Sequence, residues 1–170
     1  MSDKISGFSP ICDENSRVLV LGSFPSVKSR KIDFYYGNRQ NRFWKMLFSY
    51  FGEEMKESNA EKAEFLLRRN VALWDVVAEC TIRGSSDATI RASRVADIPR
   101  LLAFAPIERI LLNGRAAYEI FVDAFGDIGV PFFRMPSTSP ANPRYQERIW
   151  HAALDEVFAG SGRSKNKEER

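Results

Sequence analysis

VLVLG at residues 18–22 is a continuous apolar run closed by a glycine, and it reads as a short buried strand. Three further runs follow it: VALWDVV at 71–77, RILL at 109–112 running into Asn113-Gly114, and Pro131 to Met135. Helical spacing fills the intervals. Phe43, Met46, Leu47 and Tyr50 fall at i, i+3, i+4 and i+7 within 41–52, which puts them on one face. Ser58 and Glu61 form a capping-box pair at the head of a helix that continues to Arg69. Asp97-Ile98-Pro99 starts another, with Ile98, Leu101 and Leu102 inward. Arg115 to Phe125 is closed by Gly126, and a last helix spans 144–158 with Ile149, Ala152, Ala153 and Val157 inward. Alternation of this kind predicts an α/β fold: a single domain with a central four-stranded, mainly parallel sheet and helices on both faces. The domain is expected over 15–160, after an N-terminal segment at 1–14 and before a polar, disordered tail at 161–170. Residues 23–40, 79–94 and 136–143 are expected to be loops.

Composition narrows the class. The chain has 170 residues, 44% hydrophobic and 28% charged, enough for one solvated domain with a core of its own. No apolar run nears the ~20 residues of a membrane helix, and the first ten residues lack a secretory apolar stretch. Cys12 and Cys80 are the only cysteines, too few for a four-thiolate metal or iron–sulfur site, and a reduced, cytoplasmic compartment is expected. Net charge is only +3, but Lys28, Arg30, Lys31, Arg39, Arg42 and Lys45 stand against Asp33 alone between 28 and 45. The stretch from Glu53 to Glu64 reverses that balance. Such a patch can orient a protein on a polyanion, or it can be an ordinary solvated surface.

In a parallel sheet, ligands bind beyond the C-terminal ends of the strands. The chemically rich segments all leave those ends. Gly22-Ser23-Phe24-Pro25-Ser26 can bring backbone amides close to a base or phosphate. In YYGNRQNRFWK (35–45), Tyr35 and Tyr36 can stack on a base, a contact worth roughly 1–3 kcal/mol. Asn38 and Asn41 can orient a water or bond a base edge, although Asn41 can equally cap the following helix. Lys28 and Arg39 can hold phosphates. Asp75 sits inside an apolar run, either as an ion-paired structural carboxylate or as a fixed acceptor facing a pocket. Asn113 ends the third strand. Ser137, Thr138, Ser139 and Asn142 lie between prolines in a stiff loop rich in small polar groups, followed by Arg144. His151, the only histidine, falls mid-helix and away from this edge, so a histidine triad or metal site has little support. No phosphate-binding glycine motif of the Walker or dinucleotide type occurs.

LGSFPS (21–26), YYGNRQNRFWK (35–45), ALWDVV (72–77), LLNGRAAY (111–118) and MPSTSPAN (135–142) occur in the order expected of the uracil-DNA glycosylase superfamily. Across residues 15–158 the chain most resembles its hypoxanthine-DNA glycosylase (deoxyinosine glycosylase) branch. The resemblance implies a monomeric enzyme of base excision repair, acting without cofactor or metal on DNA that carries a damaged base. It also implies departures: Ser23 stands where the superfamily places a catalytic acid or asparagine, and Ser137 where it often places histidine or asparagine. Water-orienting duty then moves to Asn38, with Asn41 second. Tyr36 becomes the stacking aromatic. Asp75 becomes the base reader, alongside Gly22, Ser23, Phe24 and Asn113. Pro25, Ser26, Lys28, Arg39, Ser137, Thr138, Ser139, Asn142 and Arg144 become DNA contacts, and 139–145, including Arg144 and Tyr145, the intercalating region.

The target nucleotide would be flipped out of the stack. An ionised Asp75 accepts from N1–H of hypoxanthine and repels the N1 lone pair of adenine; it accepts equally from N3–H of uracil. No lysine is placed to form a Schiff base, so the expected product is an abasic site without strand cleavage. Competing readings are a uracil or mismatch glycosylase, a DNA-binding member of the fold without catalysis, and a small-molecule hydrolase.

Overall fold

The computed structural model describes residues 2–83 and 91–159, with side chains for 4–81 and 94–159. At its centre is an all-parallel sheet in the order β3-β2-β6-β7, formed by β2 (Val18–Gly22), β3 (Val71–Asp75), β6 (Arg109–Asn113) and β7 (Phe132–Met135). Successive side chains of a strand point to opposite faces, and the core divides accordingly. Val18, Val20, Val71, Leu73 and Leu111 pack beneath α2 (Phe43–Tyr50), α3 (Asn59–Arg68) and α6 (Glu147–Phe158). Leu19, Leu21, Ala72, Ile110 and Leu112 pack beneath α4 (Ile98–Phe104) and α5 (Arg115–Phe125). Burial on both faces is why these strands read as unbroken apolar runs. The expected helix starts hold at Ser58, which accepts from Glu61 N–H, and at Asp97, which accepts from Arg100 N–H. Among the described residues, no helix is long and apolar enough to cross a membrane.

Four features differ from the sequence reading. The expected loop at 23–40 contains α1 (Val27–Ile32), six residues capped by Ser26, too short to show a periodicity. The expected loop at 79–94 carries β4 (Val77–Arg83) and β5 (Arg91–Val95), which join β1 (Ser2–Ser6) in an antiparallel sheet ordered β1-β4-β5; residues 84–90 lie outside the described residues. The N-terminal segment is therefore built into the fold, and Ile11 also exchanges backbone hydrogen bonds of 2.9 Å with Leu73. The last helix begins at Glu147, because Gln146 is still extended, and its buried face is Trp150, Leu154 and Val157; Ile149 and Ala152 are exposed. The tail at 161–170 lies outside the described residues.

Three indole N–H groups tie loops onto this frame. Trp44 donates to Tyr35 O at 3.0 Å, Trp150 to Pro136 O at 2.9 Å and Trp74 to Phe8 O at 3.0 Å. The first two anchor the segments leading to Asn38 and to Ser137, so core packing fixes the loops beyond the sheet.

Candidate active site

Parallel register places Gly22 beside Asp75, and Asn113 beside Met135, at one edge of the sheet. The loops leaving these ends enclose a cavity of ≈ 400 Å³, a volume typical of small-molecule sites. Gly22, Ser23 and Phe24 line it, as do Pro25, Ser26 and Tyr36. Asn38, Asn41, Asp75 and Asn113 also line it, together with Ser137, Thr138 and Ser139. The edge argued from topology alone is thus where the sequence-derived catalytic and base-binding residues meet.

Asp75 is 5% exposed and has no ion pair among the described residues. Its Oδ2 is buried without a hydrogen-bond partner, and burial raises its carboxyl pKa to about 7. An ion-paired structural aspartate is not what stands here. A buried oxygen without a donor is costly and uncommon in a finished fold, and a ligand supplying that donor explains it. Gly22 makes room for the carboxylate: a β-carbon there would sit 2.5 Å from Asp75 Oδ1 and 3.2 Å from Tyr36 Oη. Gly22→Ala should therefore displace Asp75 toward solvent. In a carbon-detected NMR titration, the Asp75 midpoint should fall from about 7 toward the ordinary carboxylate range. A midpoint still near 7 would mean the carboxylate has not moved.

Tyr36 is half-buried and holds a left-handed backbone, φ 53°, a strained conformation for an aromatic residue. Two contacts hold it there. Its ring packs 4.3 Å from Phe43 at 33°, and its hydroxyl accepts from Asn113 Nδ2 at 3.0 Å. Burial, with the Asp75 carboxylate nearby, pushes the Tyr36 hydroxyl pKa well above normal, so it stays neutral. Asn113 also donates to Thr138 Oγ1 and accepts from Thr138 N–H, each at 3.0 Å. Both of its amide hydrogens are thereby committed to Tyr36 and Thr138. Gly114 permits this close approach: its φ is +94°, and a β-carbon there would meet Ser137 Cβ at 3.1 Å.

Asn38 and Asn41 both form turns with their own backbone. Asn38 Oδ1 accepts from Gln40 N–H at 3.0 Å, and Asn41 Oδ1 accepts from Phe43 N–H at 2.9 Å. Only an oxygen can accept from those N–H groups, so the amide orientation is fixed and each NH₂ is the end left for a ligand. Asn41 therefore does serve the helix start, as one reading of the sequence had it, while still lining the cavity.

The residues expected to contact DNA divide between the cavity wall and its surroundings. Thr138 is 1% exposed, with its hydroxyl turned to Asn113, so it supports the loop from inside. The Ser26 hydroxyl caps α1 by accepting from Ser29 N–H. Lys28 and Arg39 are exposed and do not line the cavity. Asn142 and Arg144 lie in a neighbouring groove. The Tyr145 ring is covered by the Arg42 guanidinium at 4.2 Å and packs onto the core, which removes it as a free intercalating side chain. Arg42, read as part of a basic patch, donates instead to the carbonyls of Thr138, Ser139 and Asn142 and ties the two halves of the site together. Ser29, unnoticed in the sequence, is 3% exposed and accepts from Gly37 N–H, fixing the turn that carries Tyr36. Its signal was hidden with α1 itself. His151 contacts Met46 O and Glu147, away from the cavity. Among the described residues, no group of three or more His, Cys, Asp or Glu side chains could hold a metal ion.

A family model described as the uracil DNA glycosylase superfamily matches residues 9–156. A protein named hypoxanthine DNA glycosylase from Methanosarcina acetivorans is 34% identical over 153 residues, covering 87% of this chain and 96% of its own length. One of the same name from Methanosarcina barkeri is 35% identical over 127 residues, covering 72% and 80%. A solution NMR structure from M. acetivorans, of a protein provisionally named a uracil DNA glycosylase, superposes with a TM-score of 0.77 at 32% identity. It covers 88% of this chain and 96% of the other. With a match over most of its length, and relatives of similar size above 30% identity, the chain belongs to the uracil-DNA glycosylase superfamily.

Proposed function

We propose that the chain is a monofunctional DNA glycosylase that hydrolyses the N-glycosidic bond of a deaminated base, hypoxanthine first, and acts as a monomer. The observation that carries this reading is the buried Asp75 oxygen without a donor, in a cavity walled on one side by Tyr36. The names of the two Methanosarcina relatives support the same substrate.

The extruded base enters the cavity and lies against Tyr36, whose strained backbone is held by Asn113. The ionised Asp75 accepts the N1–H of hypoxanthine, completing the partnerless Oδ2. Adenine presents a lone pair at N1 and leaves that carboxylate unpaired, which a dry site penalises heavily. As the bond to the sugar breaks, negative charge collects on the departing base. The amide NH₂ groups of Asn38 and Asn41 then donate to its carbonyl or hold the attacking water. The water adds to the sugar carbon, its proton passes to solvent or the base, and an abasic site remains.

The test is base release from matched duplexes carrying hypoxanthine, uracil, xanthine or adenine, with enzyme in excess and alkali revealing abasic sites. Release should be fastest at hypoxanthine. Asn38→Ala and Asn41→Ala should each slow it about 10²-fold, the cost of removing one aimed donor. Near-normal rates in both variants would withdraw the role given to the amides. DNA binding without base release at any lesion would replace the enzyme with a binding member of the fold.

A further inference from the structure

A backbone group settles which way the protons run around Asn113. The Thr138 N–H can only donate, so the atom it meets at 3.0 Å is the Asn113 carbonyl oxygen, and the NH₂ faces Tyr36 Oη and Thr138 Oγ1. Tyr36 Oη therefore accepts from Asn113. A phenol hydrogen lies near the ring plane, on one side or the other, and with Asn113 donating on one side it takes the other. Among the described residues no acceptor receives it. Burial, with the Asp75 carboxylate nearby, keeps the hydroxyl protonated. One face of the ring is packed on Phe43 at 4.3 Å, and Tyr36 and Asp75 both line the cavity. The place where Gly22 lacks a β-carbon is 2.5 Å from Asp75 Oδ1 and 3.2 Å from Tyr36 Oη, so carboxylate and hydroxyl stand side by side at the end of the sheet.

We propose that the Tyr36 hydroxyl is a specificity-determining donor to the carbonyl oxygen at C6 of the base, so that Asp75 and Tyr36 together read the adjacent N1–H and O6. The inference rests on the glycosylase reading, and it makes the hydroxyl, not only the ring, the contribution of Tyr36. Hypoxanthine offers a donor at N1 and an acceptor at C6. Adenine offers the reverse, a lone pair at N1 and an amino group at C6, so it sets lone pair against carboxylate and N–H against O–H. Both contacts fail at once, and a site whose buried polar groups are left unpaired by the wrong base discriminates strongly. Uracil carries the same pair at N3–H and O4, where cytosine carries the reverse. The two side chains thus read the exchange of an amino group for a carbonyl, which is the change deamination makes. They are indifferent to a 2-amino group and do not by themselves separate hypoxanthine from guanine.

The experiment compares the full chain with Tyr36→Phe and with Asn113→Asp, on duplexes carrying hypoxanthine or 6-thiohypoxanthine. The thio base keeps N1–H but presents sulfur, a poor acceptor, at C6. Tyr36→Phe removes the donor. Asn113→Asp keeps the ring and replaces the NH₂ by a second acceptor, which draws the Tyr36 proton away from the cavity; its added charge acts on both bases alike and drops out of their ratio. Each variant should slow single-turnover release of hypoxanthine about tenfold, and release of the thio base by no more than about twofold. Equal losses on the two bases would make the hydroxyl a structural prop and overturn the proposal, as would an undiminished rate in Tyr36→Phe. A base-dependent loss in Tyr36→Phe but not in Asn113→Asp would overturn the direction of the proton. Binding is measured in parallel with both bases as 2′-fluoroarabino nucleotides, which resist release. A base-dependent loss of affinity in a chain that releases no base keeps the role of the hydroxyl and defeats the glycosylase reading; release that falls equally on the two bases does the opposite.

Discussion

At pH 8, Asp75→Asn is expected to release hypoxanthine on the order of 100-fold more slowly than the parent chain, with its preference over adenine reduced further. Both effects follow from one oxygen. Oδ2 is buried and without a donor, so in the bound state it gains the N1–H of the base as a charge-assisted hydrogen bond, roughly twice as strong as a neutral one. Asparagine can still turn its carbonyl to N1–H, but without the charge. It can also turn its NH₂ to the N1 lone pair of adenine, which removes the penalty that excluded the normal base. The parent enzyme has a second signature. Its carboxyl titrates at about 7, so single-turnover release should rise between pH 6 and pH 8, and the variant should be flat across that window. A parent rate that falls through pH 7 would make neutral Asp75 a proton donor. Identical profiles in the two proteins would take Asp75 out of the reaction.

Strand position was legible because burial on both faces leaves an unbroken apolar signature, as in Val18 to Leu21. The site's location followed from topology, since Gly22, Asp75 and Asn113 each end a parallel strand at the same edge. The antiparallel sheet was not legible. The stretch around β4 and β5 is rich in Ser, Thr and Arg, and it lacks the regular apolar alternation that marks a half-buried strand. For the last helix, Ile149 and Ala152 were read as inward, whereas the buried face carries Trp150 and Leu154. At the site, residue type told which chemistry was available but not where it was used. Asn113 and Thr138 hydrogen-bond each other across 25 residues of chain, and Arg42 bonds the carbonyl of Asn142 across 100. Nothing local in the sequence records those partners. The strained φ of Tyr36 and the missing donor at Asp75 are likewise products of packing.

The missing donor also makes Asp75 a liability to the folded chain, and Asp75→Asn should expose it as a pH-dependent gain in stability. The carboxyl pKa rises from 3.8 in a model peptide to about 7 in the fold. A raised pKa means that folding favours the neutral form. The stability tied to this group is therefore complete below pH ~4 and is lost as pH rises through about 7. At ~1.4 kcal/mol per unit, the full loss is ~4 kcal/mol, of which about 2–3 kcal/mol falls between pH 5 and pH 8. Asparagine carries no charge to desolvate. Whatever constant cost its buried amide brings, the stability difference between variant and parent should move in favour of the variant by that amount from pH 5 to pH 8. Glu53, whose pKa is held at about 2 by Arg68 and Arg69, is common to both proteins and drops out of the difference. Urea unfolding of the two chains at pH 5, 6.5 and 8 measures it. A difference that stays flat would show that Asp75 ionises as an ordinary carboxylate and already has a donor, removing the physical basis for reading it as a receptor for the N1–H of a base. A rising difference, together with the loss of base release, would identify Asp75 as a residue at which stability is given up for recognition.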